Sequence, residues 1–150
     1  MNITPALILA AAAYLVGCPV ALGDSPAPNI EGKWTGRTYT IVAGHGGHWP
    51  TNPGTFQKPG LFDKDLLIDV TGQEGRRFWG ITTISDNGRK TQEPFVGELT
   101  GTDNRDVVVA DTDGYLNGHI NGDVLSLCYS QAAGTKGSAV VSCTEVKRTR

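Results

Sequence analysis

The stretch with the most distinctive chemistry is Gly44-His45-Gly46-Gly47-His48-Trp49-Pro50, which holds two of the three histidines. Two imidazoles three residues apart in a glycine-rich loop could both reach one zinc, copper or haem iron. Such a site needs a further ligand, and the remaining histidine is His119. One alternative is a mobile loop at the mouth of a barrel, with Trp49 packing as a lid. Another is that His45, His48 and Trp49 contact a bound molecule without any metal.

Motifs for catalysis are missing from the sequence. It has no Gly-x-Ser-x-Gly motif, no Ser and Lys pairing at catalytic spacing and no phosphate-binding glycine loop ahead of a helix. Asp111-Thr112-Asp113-Gly114 resembles the start of a calcium loop, but the twelfth position, which should be acidic, is Gly122. A hairpin turn explains the Asp-Gly pair. We therefore predict no catalytic residue and favour a binding protein over an enzyme.

The composition argues against a nucleic-acid-binding protein and against a fold built of long helices. Thirteen Lys and Arg against 15 Asp and Glu give a formal net charge of −2, which argues against a nucleic-acid partner because phosphate binding needs a basic face. Twenty glycines and eight prolines favour frequent chain reversals over long helices.

Turn signals such as Asp86-Asn87-Gly88 separate runs rich in Thr, Val, Ile and aromatic residues. These runs predict eight strands, at about 32–43, 64–71, 76–85, 91–101, 105–111, 115–121, 123–130 and 138–148. Strands joined successively by short turns predict an all-β fold, an eight-stranded antiparallel up-and-down β-barrel, with a β-sandwich as the alternative. Alternation of side chains places one set inward: Trp34, Thr38, Phe78, Thr82, Phe95, Leu99, Leu127 and Tyr129.

The last two strands make a geometric prediction about the cysteines. If Thr135 and Lys136 form a two-residue turn, residues whose numbers sum to 271 face each other. Cys128 and Cys143 would then be a direct cross-strand pair, close enough for a disulfide. Two facing free thiols are the alternative. The pair of Arg76 and Arg77 opens another strand, so the two side chains point to opposite faces. One would lie at the barrel rim, and the other would pair with Glu74 or face a ligand carboxylate, for which Arg77 is the candidate.

Gly32-Lys33-Trp34 at the start of the first strand resembles the opening of lipocalins, and avidins begin similarly. Together with the strand count, this likeness implies the calycin architecture and a ligand-holding interior. In lipocalins the Trp closes one end of the barrel and an Arg near the C-terminus packs over it. The resemblance gives Trp34 the first role and Arg148 or Arg150 the second. The lipocalin Thr-Asp-Tyr motif is absent, and no avidin biotin-site pattern can be matched, so the resemblance implies no particular ligand.

The uncharged, apolar N-terminal segment predicts that the protein is exported from the cytoplasm. Residues 1–23 carry no charged side chain, and Ala6–Val16 is an apolar run too short to cross a bilayer but of signal-peptide length. One cleavage site would follow Ala21-Leu22-Gly23. The alternative is a lipoprotein signal over 1–17 with Cys18 acylated. Whichever signal is used, residues 24–30 would form an extended spacer and residues 31–150 the β-barrel domain.

We therefore predict an exported β-barrel protein, either periplasmic, an outer-membrane lipoprotein or secreted, which touches the membrane only through an acyl anchor. It would hold a small apolar ligand and no cofactor. The predicted ligand contacts are Trp34, His45, His48, Trp49, Arg77, Phe78 and Tyr129. The alternative function is a periplasmic inhibitor or an envelope protein-interaction module. A third is a haem, zinc or copper barrel, or a barrel enzyme, that uses His45, His48 or His119.

Overall fold

A computed structural model describes residues 26–44, 53–133 and 137–149 of the chain. Within these ranges it has eight strands and no helix. Their bounds are β1 Gly32–Ala43, β2 Gly60–Glu74, β3 Arg77–Asp86, β4 Arg89–Thr100, β5 Asp106–Ala110, β6 Tyr115–Asn121, β7 Val124–Ala133 and β8 Ser138–Arg148.

Each strand pairs antiparallel with the next, and β1 also pairs with β8, which closes the sheet into a barrel. The prediction of an eight-stranded up-and-down barrel is confirmed. The sandwich alternative is wrong, because one continuous ladder of backbone hydrogen bonds runs around all eight strands and leaves no edge between two sheets.

Short turns set the register of the barrel. Asn87 and Gly88 both have positive φ, 49° and 82°, as the Asn-Gly hairpin turn between β3 and β4 requires. Two strands are longer than predicted: β2 begins at Gly60 and continues past the predicted end at position 71, and β7 continues to Ala133. A bulge between Val70 and Gly72 shifts the pairing with β3 by one residue and lets the strand continue.

One half of the interior is a packed apolar core. Alternate side chains of the strands point inward and interlock there, and the Phe78 and Phe95 rings meet edge to face with centroids 6.1 Å apart. The largest fully buried side chains of this core are Trp34, Ile30, Leu99, Val107 and Val146. We call this end of the barrel the sealed end. The opposite end, where β1, β3 and β7 finish and β2, β4 and β8 begin, is the mouth.

Trp34 and Arg148 form the seal. The Arg148 guanidinium lies over the Trp34 ring, 4.3 Å from its centroid, and donates hydrogen bonds to the carbonyls of Glu31 at 2.6 Å and Asn29 at 2.7 Å. The Trp34 indole N–H donates to the Ile30 carbonyl at 3.0 Å. The packing of a C-terminal Arg over the Trp, which the resemblance implied, is confirmed for Arg148. Arg150 lies outside the described residues. The closed barrel is compatible with a calycin-like fold.

Cys128 and Cys143 face each other across β7 and β8 and form a disulfide, with a Cα–Cα distance of 4.1 Å. The predicted register is confirmed, since every residue pair of this hairpin sums to 271. The predicted turn residues Thr135 and Lys136 themselves lie outside the described ranges. A disulfide is consistent with an exported protein, because thiols stay reduced in the cytosol of most cells.

In the part of the chain that the structure describes, no helix is long and apolar enough to cross a membrane.

Candidate ligand cavity

The half of the interior toward the mouth is hollow. It encloses a cavity of about 80 Å³, whereas the packed half retains a void of only about 20 Å³. Inward side chains of β1, β2, β3, β4, β6, β7 and β8, together with Asp111, line the cavity. The predicted inward set therefore divides in two: Trp34, Phe78, Phe95 and Leu99 pack the sealed half, while Thr38, Thr82, Leu127 and Tyr129 line the cavity.

The base of the cavity is apolar. Leu66, Leu116 and Leu127 are almost fully buried and belong to the same cluster as the packed core below them. Their side chains form the boundary between the packed core and the cavity, so a molecule in the cavity would contact an aliphatic surface.

Hydroxyl side chains and one lysine line the cavity on β2, β1 and β8. Thr40 and Ser142 share a hydrogen bond of 2.7 Å between their hydroxyl oxygens, and the Thr40 hydroxyl also donates to that of Thr38 at 3.3 Å. The Lys64 side chain, only 7% exposed, lines the same wall, with its ammonium nitrogen 3.7 Å from Asp86 Oδ2. A buried lysine is costly unless it is paired, and the Asp86 carboxylate supplies a charged partner here.

Two carboxylate side chains also line the cavity, one on β4 and one directly after β5. Glu93 on β4 and Asp111 after β5 line it together with Tyr129 and Gln131 of β7. The Asp111 carboxylate also holds the β5–β6 turn, because its Oδ1 accepts backbone N–H groups of Asp113 at 3.0 Å and of Gly114 at 2.7 Å. The hairpin interpretation of this Asp-Gly stretch is thereby confirmed.

The Tyr129 ring is positioned by a glycine. Gly114 is buried, and a Cβ at this position would meet the Tyr129 ring and the Ser130 carbonyl at 2.7 Å. The ring therefore packs against the glycine backbone. This contact lies beside the shortest strands of the barrel, because β5 and β6 have 5 and 7 residues and the other strands have 10 to 15. This contact explains why the turn needs a residue without a side chain.

Burial, and next the negative charges of Asp111, Glu93 and Asp113, raise the pKa of the Tyr129 phenol well above its ordinary value. The folded protein thus keeps a proton that the unfolded chain releases near pH 10, so stability should fall as the pH rises above that point. We expect the wild type to lose up to about 1.4 kcal/mol more per pH unit than Tyr129→Phe, as measured by urea unfolding between pH 9 and 11. Tyr115→Phe, at an exposed tyrosine, is the control and should behave like the wild type. Identical pH slopes for the wild type and Tyr129→Phe would contradict this environment.

The structure separates the predicted ligand contacts. Tyr129 lines the cavity, whereas Trp34 and Phe78 lie deep in the sealed half. Arg77 points to the outer surface, 69% exposed, and pairs with Glu74 at 3.2 Å. The predicted contacts His45, His48 and Trp49 and the predicted lipidation site Cys18 fall outside the described residues.

The third candidate metal ligand, His119, is on the outer face of β6. Its Nδ1 lies 3.0 Å from Asp106 Oδ1, at an exposed position. Among residues 26–44, 53–133 and 137–149, no group of three or more His, Cys, Asp or Glu side chains could hold a metal ion. The sites at His45 and His48 are not tested by this observation and stay a prediction.

Several cavity residues were missed from sequence. Lys64 begins the predicted strand 64–71 and is absent from the predicted inward set, as is Glu93, which precedes the inward Phe95 by two positions. Ser142 and Thr144 could have been found, because the 271 register pairs them with the inward Tyr129 and Leu127. The alternation of inward and outward side chains along β2, β4 and β8 is the sequence signal that identifies these residues.

Comparison with known proteins adds no identity: the chain matches no protein-family model, and no curated protein is significantly similar to it.

Proposed function

We propose that the chain is a small binding protein that holds a small amphiphilic molecule non-covalently inside the barrel. The observation that carries the proposal is the cavity of about 80 Å³ with its apolar base and polar walls. Protein interiors are normally packed as densely as organic crystals, so a hollow of this kind is a departure from what stability alone favours. Apolar surface with a few convergent polar groups is the usual composition of a ligand site.

The cavity restricts the size and nature of the ligand. It is well below the roughly 300–1,000 Å³ that is typical of sites for drug-sized molecules, so the ligand is a small molecule or a small part of a larger one. The sequence predicts a small apolar ligand. The hydroxyls of Thr38, Thr40 and Ser142 and the charged Lys64 and Glu93 favour instead a molecule with both an apolar part and a polar group.

Three features support a lipocalin-like or avidin-like calycin assignment as part of the proposal: the Gly32-Lys33-Trp34 opening, the closed meander, and Arg148 stacked over Trp34. The apolar leader and the Cys128–Cys143 disulfide support export. We propose a periplasmic, lipid-anchored or secreted location on these grounds, with signal cleavage before Asp24 or acylation of Cys18 as the two routes.

One observation favours the interaction module as a second candidate. Trp79, Val96, Ala110 and Tyr115 form a continuous row across four strands on the outer surface, and three of them are large side chains at least 46% exposed. Exposed apolar patches mark protein contacts more often than chance. The row lies on the outer wall of the barrel, along β3 to β6.

Filling the cavity tests the proposed function. Thr82 lines it from β3, so Thr82→Phe should occupy the space and abolish ligand retention. Ile81→Phe is the matched control, because Ile81 is the neighbouring outward residue of the same strand. In native mass spectra of protein purified without denaturation, we expect an additional small mass on the wild type and on Ile81→Phe that is missing from Thr82→Phe.

Two results together would contradict the proposed function. A wild-type mass equal to that of the bare polypeptide, with no change in melting temperature when the small-molecule fraction of a cell extract is added, overturns the binding proposal. A ligand selective for the folded state must raise its stability. A second protein retained in place of a small molecule would favour the interaction module.

A further inference from the structure

The outer wall of β3 and β4 carries an exposed apolar surface. Trp79 and Ile81 on β3 stand directly opposite Val96 and Pro94 on β4, and all four side chains are exposed. A contiguous patch of this kind, unlike a single exposed apolar residue, indicates a contact surface. We call these four residues the β3–β4 face.

The aromatic ring of the β3–β4 face is held in place before any partner binds. A Cβ at Gly72 would meet the Trp79 ring at 2.5 Å, so one side of the indole packs against the backbone of β2 and the other side points outward. A ring that is already fixed loses little conformational freedom when a partner covers it. Tryptophan is also enriched among the residues that carry the binding energy of interfaces.

Charged side chains of both signs border the β3–β4 face on the side of the sealed end. Arg77 on β3 stands directly opposite Glu98 on β4. Each also forms an exposed ion pair, Arg77 with Glu74 at 3.2 Å and Glu98 with Arg76 at 3.5 Å. Exposed ion pairs contribute little in water, so both side chains can turn toward a partner at small cost.

The β3–β4 face is complementary to itself. A two-fold axis that runs between β3 and β4, parallel to the strands, places each β3 residue of one copy against its β4 counterpart in the other. Trp79 of one copy then lies over Val96 of the other, a large side chain over a smaller one. Arg77 of one copy meets Glu98 of the other, and the symmetry repeats both contacts. The apolar contacts supply affinity and the charged contacts fix the orientation.

A second barrel wall suits this surface better than a peptide does. The ladder of the eight described strands closes on itself, so an extended peptide finds no free strand edge with which to pair. Two sheet faces pack well when their strands run in nearly the same direction, and a two-fold axis parallel to β3 and β4 gives that alignment.

We propose that this protein forms a two-fold symmetric homodimer through the β3–β4 face, with Trp79 packed on Val96 and Arg77 paired with Glu98 across the axis. The contact covers a few strands of one wall, so the dimer dissociates in the micromolar range and the chain is monomeric in dilute solution. The side chains that line the cavity point the other way and take no part in the contact. The inference therefore does not depend on the proposed function.

Sedimentation velocity at protein concentrations from about 1 µM to about 1 mM tests the association. We expect the wild-type sedimentation coefficient to rise from that of a monomer to that of a dimer. Val96→Glu places a charge at the centre of the β3–β4 face and should keep the protein monomeric, with little effect on the monomer itself because Val96 is 64% exposed. Val141→Glu makes the same change at an exposed valine of β8, on the opposite wall, and should still dimerise.

Two charge reversals test the two-fold arrangement. Arg77→Glu and Glu98→Arg each place like charges across the axis, so each should raise the dimer dissociation constant by about tenfold or more. An equal mixture of the two variants should dimerise at least as well as the wild type, because both contacts then join opposite charges. Arg37→Glu and Glu145→Arg reverse a directly opposed pair of β1 and β8 and should leave the association unchanged.

Four results would contradict the homodimer. The wild type sediments as a monomer at every concentration. The dimer survives Val96→Glu, or Val141→Glu abolishes it, so that the contact lies elsewhere on the barrel. The charge-reversed variants dimerise alone, or stay monomeric when mixed. A different protein co-purifies with the wild type and is lost with Val96→Glu, while the purified chain stays monomeric.

The failure of this inference is distinguishable from the failure of the proposed function. Val96→Glu should retain the small molecule that Thr82→Phe loses, and Thr82→Phe should still dimerise, because the two substitutions lie on opposite sides of the sheet.

Discussion

Trp34→Ala should lower the free energy of unfolding by about 3–5 kcal/mol. The Trp34 side chain has no exposed surface, and it lies between the packed core and the Arg148 guanidinium. Its removal leaves a large cavity and an unpaired Ile30 carbonyl, and the Arg148 side chain loses the ring on which it stacks. Since small domains are stable by only about 5–15 kcal/mol, this loss is a large fraction of the total stability.

Trp79→Ala provides the comparison. The Trp79 ring lies on the outer surface of β3, 46% exposed, so its loss creates no internal cavity and should have a much smaller effect. Urea unfolding of both variants, with the denaturant slope checked for constancy, measures the difference. Equal losses for Trp34 and Trp79 would show that the sealed end is not organised around Trp34.

Loss of the disulfide is the second large effect that we expect. The bond joins Cys128 to Cys143, 15 residues apart in sequence, and restricts the unfolded chain over that interval. For a loop of this length the restriction is equivalent to about 3 kcal/mol, an upper figure here because the β7–β8 hairpin is local. The Cys128→Ser, Cys143→Ser double variant should therefore unfold at lower urea concentration than the wild type.

Reduction distinguishes the effect of losing the disulfide bond from the effect of replacing the cysteine side chains. Dithiothreitol should destabilise the wild type by about as much as the double substitution does, and it should not affect the double variant. If thiol titration of the denatured, unreduced protein detected Cys128 and Cys143 as free thiols, the two side chains would only be neighbours.

The register of the barrel was predictable where local chemistry decides it. Asn87-Gly88 requires a tight turn, and the spacing of Cys128 and Cys143 around one hairpin gave the correct partners, because a two-residue turn determines every pair that follows. Alternation then assigned inward positions from Trp34 to Tyr129.

Other features of the interior could not be predicted in this way. Alternation says which way a side chain points but not how much space remains between opposite walls, so the cavity was outside its reach. A lysine and a glutamate are expected at the surface, and Lys64 and Glu93 turn inward only because the barrel closes around them. Ile30 was assigned to a spacer, yet it is fully buried at the sealed end, where its N–H donates to Gln73 at 2.8 Å. Its place depends on the distant β2, which nothing local in the sequence reveals.

We propose that this protein binds a small molecule in the hollow half of the barrel. An isotope-filtered nuclear Overhauser experiment on methyl-labelled protein carrying the molecule that it retains tests this placement. We expect contacts between that molecule and the methyl groups of Leu66, Leu116 and Leu127, which form the base of the cavity. Contacts confined to outward residues such as Val96 and Val141 would contradict it.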